Sequence, residues 1–142
     1  MGKALELARQ AAEKGEVPVG AVIVKAGKLV AAAHNLREQS GNPVAHAEML
    51  VIQAAAKKLG NWRLTETTLY VTLEPCPMCA GAIILARIPR VVFGAADPKS
   101  GAAGSLYNIV QDERLNHKVE LLSGICAEES RALLRTFFKN RR

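Results

Sequence analysis

The sequence has few cysteines and lacks a long apolar segment. Its 142 residues include three cysteines, too few and too odd in number for the disulfide framework of a small secreted protein. No uninterrupted apolar run reaches the roughly 20 residues that a membrane-spanning helix requires, and the residue order of a signal peptide does not open the chain. We therefore expect a soluble cytoplasmic protein with no membrane partner, whose closely spaced cysteines serve metal-binding or redox chemistry.

Internal repeats, low-complexity tracts and interdomain linkers are also lacking. With 142 residues, 49% of them hydrophobic, the chain is long enough to bury a core, so we expect residues 1–142 to form a single domain. Lys and Arg number 19 against 13 Asp and Glu, a net charge of +6. This excess fits a polyanionic partner but also serves solubility, and only clustering of the charges would indicate nucleic acid.

The spacing of apolar residues and turn formers predicts alternating helices and strands. Asn42 is a suitable cap for the second helix, with Pro43 at its first position. The order of elements implies an α/β fold with three α/β/α layers around a central mixed five-stranded sheet, antiparallel at first and joined later by right-handed crossovers. The predicted helices are 3–14, 43–59, 78–87 and 127–139, and the predicted strands are 19–24, 29–33, 69–73, 90–95 and 119–122.

Two of the cysteines, Cys76 and Cys79, lie three residues apart where the strand 69–73 gives way to a helix. This spacing places both sulfurs on one side of a helical turn, and the helix N-terminus favours their thiolate forms. A strand followed by C-P-M-C and a helix is also the local context of a thioredoxin-like redox site. This segment alone therefore leaves a metal site and a redox site equally open, with an inert thiol pair as a third possibility.

The tripeptide His46-Ala47-Glu48, in the first turn of the preceding helix, favours the metal site. Two adjacent helices that begin near the carboxyl ends of strands bring their first turns together in one crevice. His46 with Cys76 and Cys79 makes three zinc ligands, and catalytic zinc keeps three protein ligands whereas structural zinc has four. Cys126 is distant along the chain, and we interpret it as a buried apolar residue rather than a fourth ligand.

Glu48 is the candidate proton carrier of this site. A zinc ion held by two thiolates and a neutral imidazole has no formal net charge, so it acidifies water less than a three-histidine site would. A base near that water is then useful, and Glu48 is close enough to His46 to shuttle a proton to a substrate nitrogen. A solvated glutamate at a helix start is the plainer interpretation, but it does not explain the whole set of residues.

The segments His46-Ala47-Glu48 and Pro75-Cys76-Pro77-Met78-Cys79 match the H-x-E and P-C-x-x-C signature of zinc-dependent cytidine and adenosine deaminases. The chain resembles the bacterial tRNA-acting branch of this family along essentially its whole length. Further matching segments are 16–21, 34–35, 73–76, 86–88, 101–106 and 115–117. The resemblance implies a cytidine-deaminase-like fold with one Zn²⁺ per subunit, held by His46, Cys76 and Cys79.

The same resemblance implies a reaction and a substrate. Water adds to C6 of an adenine, Glu48 moves a proton to N1 and then helps ammonia to leave, and the product is inosine. The implied substrate is the wobble adenosine in the anticodon stem-loop of a tRNA, bound by a homodimer whose RNA surface spans both subunits. A base in a single-stranded loop costs little to extrude, which suits this target.

Some residues in the last stretch of the chain also favour RNA. Positive charge there could neutralise phosphates, although a solvated helix face explains it nearly as well. Phe138 is the candidate to stack on an unpaired base, with ordinary packing equally possible, whereas periodicity assigns Phe137 to the core. The basic residues concerned are Arg131, Arg135, Lys139, Arg141 and Arg142.

By resemblance, Asn35 and the loop 97–105, which begins with Asp97, line the pocket for the adenosine. Asn is suited to contact the N6 and N7 edge of adenine, although a lone Asn after a strand is more often a turn former. Asn116 is a further candidate for the same task.

Two other functions remain open at this stage. One is a free nucleobase or nucleoside deaminase, acting on guanine or cytidine, whose basic residues serve solubility. The other is a non-catalytic RNA-binding or redox protein with a structural or vestigial motif. Glu48 speaks against the latter, because a purely structural metal would not need that carboxylate.

Overall fold

The fold is taken from a computed structural model, which describes residues 1–141, so that Arg142 of the predicted basic stretch lies outside the described residues. The elements, in chain order, are α1 (Gly2–Glu13), β1 (Gly20–Lys25), β2 (Lys28–His34), α2 (Arg37–Ser40), α3 (Ala47–Leu59), β3 (Thr67–Leu73), α4 (Pro77–Leu85), β4 (Arg90–Ala95), β5 (Glu120–Leu122) and α5 (Ala127–Lys139). None of the helices in this range is long and apolar enough to cross a membrane.

The five strands form one mixed sheet in the order β2-β1-β3-β4-β5. β1 pairs antiparallel with β2 and with β3, while β3, β4 and β5 run parallel. The tight turn between β1 and β2 places Ala26 and Gly27 at φ 51° and 75°, the left-handed conformations that a two-residue hairpin turn requires. These pairings confirm the predicted mixed five-stranded sheet, antiparallel first and parallel later.

The helices cover both faces of the sheet. α1 and α5 contact each other and pack on one face, and α3 and α4 contact each other on the opposite face. α1 crosses the sheet closely at Gly20, where a Cβ atom would lie 2.0 Å from the Ala4 carbonyl oxygen. The central strands are buried on both faces, with Leu69 and Val71 inaccessible on one face and Thr72 and Val92 buried on the other, as expected of strands between two helical layers.

The second predicted helix begins later than expected. Instead of running from Pro43, α3 begins at Ala47, with His46 in an extended conformation as its N-cap. The Asn42 side chain accepts a hydrogen bond from the Val44 amide at 3.0 Å, so it caps a local turn rather than the helix. This correction matters for the site, because it places His46 at the helix start.

Candidate active site

Two helix N-termini carry the three candidate metal ligands. His46 occupies the N-cap position of α3, Cys76 occupies that of α4 directly after β3, and Cys79 lies in the first turn of α4. The His46 Nδ1 atom lies 3.7 Å from the Cys76 Sγ atom and 3.6 Å from the Cys79 Sγ atom. All three ligand atoms lie within 4.8 Å of one another. The fold therefore brings together the three residues that the sequence selected.

The spacing of these atoms fits a tetrahedral metal ion. Zinc binds sulfur at about 2.3 Å and imidazole nitrogen at about 2.0–2.1 Å, so two ligands at a tetrahedral angle have nitrogen and sulfur about 3.6 Å apart. The observed nitrogen–sulfur distances agree with this value. Within residues 1–141, no fourth His, Cys, Asp or Glu joins the group. Three ligands with an open fourth position are typical of a catalytic rather than a structural site.

Cys126 does not belong to the group, although its surroundings differ from the prediction. It is the N-cap of α5 and is half-buried rather than fully buried. Its backbone has a φ of 59°, in the left-handed region. It therefore serves neither as a fourth ligand nor as a fully buried apolar residue.

The ligands perturb one another's proton affinities. The Cys79 thiol donates a hydrogen bond to the Cys76 sulfur, and together with His46 this lowers the pKa of Cys76 to about 4 against the effect of burial. The same hydrogen bond, followed by burial, raises the pKa of Cys79, and contact with Cys76 raises the pKa of His46. A cation bound by both sulfurs would displace the proton of the Cys79 thiol, so its binding would be sensitive to pH.

Glu48 is the second residue of α3 and is 4% exposed. Burial raises the pKa of its carboxyl to about 7, partly opposed by the backbone N–H of Glu48 and by the charge of His46. A carboxyl that titrates near neutral pH can both accept and return a proton. Its location beside the three ligands suits a general acid–base group.

A cavity of about 110 Å³ opens above the ligands. Asn35 and Asp97, both predicted from the sequence, lie in its wall. The Asn35 Oδ1 atom accepts a hydrogen bond from the Arg37 amide at 3.2 Å, and its Nδ2 atom donates to the Val17 carbonyl at 3.4 Å. The full lining is Val17, Val19, Asn35, Arg37, His46, Ala47, Glu48, Leu73, Glu74, Cys76, Asp97 and Ser100.

A wider groove of about 940 Å³ adjoins this cavity and shares part of its wall. α5 supplies the far side of the groove with Leu134, Arg135, Phe138 and Lys139. Phe138 is 50% exposed and therefore available to a ligand in the groove. The residues common to both spaces are Val17, Arg37, Leu73, Asp97 and Ser100.

The basic residues of the last stretch do not form one surface. Arg135 and Lys139 line the groove, whereas Arg131 pairs with Glu128. Arg141 donates a hydrogen bond to the Gly15 carbonyl, and its guanidinium lies 4.6 Å from the centre of the half-buried Phe137 ring. Of the basic residues described in this stretch, two therefore line the groove, and Arg141 instead supports packing within the protein.

Asn116 lies far from the candidate site. It is exposed in the loop before β5, and the neighbouring His117 ring contacts the Ile88 carbonyl at 2.7 Å, just before β4 begins. This loop is at the end of the sheet where β4 and β5 start, while the metal ligands follow the opposite end of β3. The structure does not bring Asn116 to the pocket, contrary to the expectation from the sequence.

Some residues of the site were missed in the sequence. Arg37 and Ser100 line the pocket, but nothing in their local pattern distinguishes them from ordinary surface residues. Glu16 is fully buried, and its carboxylate accepts hydrogen bonds from the amides of Glu38 at 2.9 Å and Gln39 at 2.6 Å. It thereby fixes the start of α2 beside the pocket. A glutamate bordering an apolar segment is the signal that could have identified it.

The mixed sheet and the two converging helix starts define a cytidine-deaminase-like fold with a group of three side chains that could hold a metal ion. The chain belongs to the MafB19-like deaminase family, whose sequence model matches residues 1–142.

Several known proteins are similar to the chain over most of its length. The tRNA-specific adenosine deaminase of Bacillus subtilis is 56% identical over 142 residues, which cover 100% of this chain and 88% of the relative. A solved structure of a tRNA:A34 deaminase, studied for A-to-I editing at the wobble position of transfer RNA, matches with a TM-score of 0.91 and 44% identity over 94% of this chain and 97% of its own. A guanine deaminase from Nitrosomonas europaea matches with a TM-score of 0.84 and 25% identity, over 96% of this chain and 81% of its own.

Proposed function

We propose that this protein is a tRNA-specific adenosine deaminase that converts the wobble adenosine of an anticodon to inosine and releases ammonia. One observation carries the proposal. His46, Cys76 and Cys79 converge within 4.8 Å beside the buried carboxyl of Glu48, in a chain that is 56% identical along its whole length to a tRNA-specific adenosine deaminase.

The proposed metal is one Zn²⁺ ion, held by His46 Nδ1 and the sulfurs of Cys76 and Cys79. When bound, this ion supplies the Lewis acidity that activates water for attack on C6 of the base. Glu48 accepts the proton that water loses and delivers it to N1 of adenine. Glu48 then takes the remaining proton of the added water from the C6 hydroxyl and passes it to the amine as the bond between C6 and that nitrogen breaks, so that ammonia leaves, a carbonyl remains and N1 keeps its proton. The raised pKa of Glu48, about 7, suits both transfers.

The two adjoining spaces suit a nucleotide that has been turned out of its stack. The cavity of about 110 Å³ is well below the roughly 300–1,000 Å³ of a drug-sized ligand site, so a single base suits it better than a larger ligand. Asn35 is placed to contact that base, and Asp97 stands on the shared wall. The flanking nucleotides occupy the groove, where Phe138 stacks on a base and Arg135 and Lys139 neutralise phosphates.

The unit that performs this function is the single domain 1–142, acting as a homodimer in the cytoplasm. One buried core joins residues from Val19 to Val119, which supports a single domain. Large apolar side chains at Leu85, Leu106 and Tyr107 are more than half exposed on the isolated chain, and a second subunit that covered them would gain from their burial.

The second candidate function is the deamination of a free base. It is favoured by the small cavity, which would admit a free purine without any use of the groove, and by the structural similarity to a guanine deaminase. Sequence identity favours the tRNA function, because this chain is 44% identical to the tRNA:A34 deaminase structure and only 25% identical to the guanine deaminase.

A direct assay separates these functions. Zinc-loaded protein is incubated with an anticodon stem-loop carrying adenosine at the wobble position, and separately with adenosine, cytidine and guanine, while inosine and ammonia are measured. We expect inosine in the stem-loop and ammonia in equal amount. Ammonia from the free compounds alone would overturn the tRNA function in favour of the second candidate. A zinc-free protein with a reversible Cys76–Cys79 disulfide and no deamination would instead indicate a redox protein.

A further inference from the structure

Glu74 joins two segments of the site: the metal-ligand turn, by which we mean residues 74–79 with the candidate ligands Cys76 and Cys79, and the loop 97–105 that follows β4. It lies between the end of β3 and Pro75-Cys76, and it is 3% exposed. Its Oε1 atom accepts hydrogen bonds from the Asp97 amide at 3.0 Å and from the Ser105 hydroxyl. Its Oε2 atom accepts from the amides of Ala103 at 2.9 Å and Ser105 at 3.0 Å. A carboxylate has about four lone-pair sites, so the loop 97–105 uses the whole acceptor capacity of this side chain.

The loop is also fitted to this carboxylate by its shape. A Cβ atom at Gly101 would lie 2.4 Å from the carboxyl carbon of Glu74, so the loop passes as close as only a glycine permits. The Ala102 amide donates a hydrogen bond to the Pro75 carbonyl at 2.8 Å. The loop is therefore joined to the segment 74–75, immediately before Cys76, through both a side chain and the backbone.

The part of the loop held in this way forms a wall of the pocket. Asp97 and Ser100 both line the cavity above the metal ligands. The Asp97 carboxylate accepts hydrogen bonds from the Lys99 amide and the Ser100 hydroxyl, each at 2.9 Å. The position of the Asp97 amide thus determines where this whole turn stands relative to Cys76.

We propose that Glu74 is a positioning residue for substrate recognition, and that it acts through Asp97 by holding the pocket wall in register with the metal-ligand turn. This inference rests on the proposed function. Without the carboxylate, the buried Ala103 amide and three partly buried donors, the amides of Asp97 and Ser105 and the Ser105 hydroxyl, lose their acceptor, so the loop rearranges to satisfy them. A misplacement of about 1 Å in residues that position the substrate costs up to about 100-fold in kcat/KM.

Glu74→Gln is the main test, because glutamine keeps the shape but presents an N–H₂ group to the loop donors. We expect kcat/KM for the stem-loop to fall by about 10- to 100-fold, chiefly through KM, at full zinc content. The matched control is Thr67→Val at the opposite end of β3, which loses the buried hydrogen bond from the Thr67 hydroxyl to the Leu64 carbonyl. The control should leave KM unchanged.

A double-mutant cycle with Asp97→Ala tests whether Glu74 acts through the loop. If it does, Glu74→Gln lowers kcat/KM by a far smaller factor in the Asp97→Ala background than in the native chain. Thr67→Val changes kcat/KM by the same factor in both. Additive effects of Glu74→Gln and Asp97→Ala would overturn the inference. Ser105→Ala, which removes one donor to Glu74, provides a milder variant if Glu74→Gln does not fold, and it should change KM in the same direction.

Amide hydrogen exchange, measured by NMR on zinc-loaded protein without substrate, supplies a readout independent of activity. Exchange at Asp97, Ala103 and Ser105 should be at least about 10-fold faster in Glu74→Gln and unchanged in Thr67→Val. Unchanged exchange at these amides would overturn the inference. A native chain that does not deaminate the stem-loop would contradict the proposed function and this inference with it. An active native chain with additive effects contradicts this inference alone.

Discussion

Arg141 ties the end of α5 to the end of α1, because its guanidinium donates a hydrogen bond to the Gly15 carbonyl at 2.7 Å. The same guanidinium lies over the Phe137 ring. Arg141→Gln should therefore lower the free energy of unfolding by about 1 kcal/mol, as measured by urea denaturation. The affinity of the Arg141→Gln variant for the stem-loop should stay unchanged. A loss of affinity as large as that caused by replacing Arg135 and Lys139 would contradict this structural role of Arg141.

Arg135 and Lys139 carry the charge that faces the groove. Replacing both with glutamine should weaken binding of the stem-loop and flatten its dependence on salt, because each lost phosphate contact lowers the slope of log K against log[salt] by about 0.7–0.9. Fluorescence anisotropy at several salt concentrations measures both effects. Arg131→Gln is the control and is charge-matched to the single variants Arg135→Gln and Lys139→Gln, since Arg131 lies on the same helix but pairs with Glu128. An equal loss of affinity in the control would show that net charge, rather than the groove, binds the RNA.

Cys79→Ser should abolish stoichiometric metal binding, because it removes one of three ligands from a site without a fourth protein ligand among the described residues. Atomic absorption of the purified protein measures the zinc content. Cys126→Ser serves as the matched control and should retain one zinc per chain. Chelation of the native protein should lower its thermal midpoint, since a ligand that binds only the folded state stabilises it. A Cys126→Ser protein without zinc would revive Cys126 as a ligand.

Glu48→Gln should lower kcat by about 10²–10⁴-fold, the usual contribution of a general acid–base group, while zinc content stays unchanged. Deamination measured at saturating stem-loop tests this expectation. Glu48→Asp, which retains the carboxyl on a shorter side chain, is the control and should keep more activity than Glu48→Gln. Equal activity in Glu48→Gln and the native protein would show that another group transfers the proton.

The same substitution should stabilise the metal-free protein at high pH. The pKa of Glu48 rises from 4.5 to about 7 on folding because of burial, so the folded state binds more protons than the unfolded state between these values. The contribution of Glu48 to the free energy of unfolding is therefore fully present below pH 4.5 and is lost as pH rises through 7. Glutamine does not titrate, so the free energy of unfolding of chelated Glu48→Gln should exceed that of the chelated native protein by about 3 kcal/mol at pH 8 and by less at pH 5. Urea denaturation at both pH values measures this difference, and an equal difference at both would contradict it.

The sequence by itself predicted the order of helices and strands apart from the short α2, the mixed sheet, and a candidate site of three metal ligands with Glu48. These features depend on local patterns: apolar periodicity over a few residues, and side chains three apart at a helix start. The start of α3 escaped prediction, because the Asn42 side chain has two local uses and only the folded chain shows that it caps a turn.

Only the tertiary structure decided which distant residues share the pocket. Asn116 and Asp97 look alike in the sequence as polar loop residues, but the parallel pairing of β4 and β5 places them at opposite ends of the sheet. Arg141 looked like part of an RNA-binding stretch, and its partner Gly15 is 126 positions away. Glu74 likewise bonds to a loop about 30 residues further along the chain. Such contacts depend on the order of strands in the sheet, which local patterns do not encode.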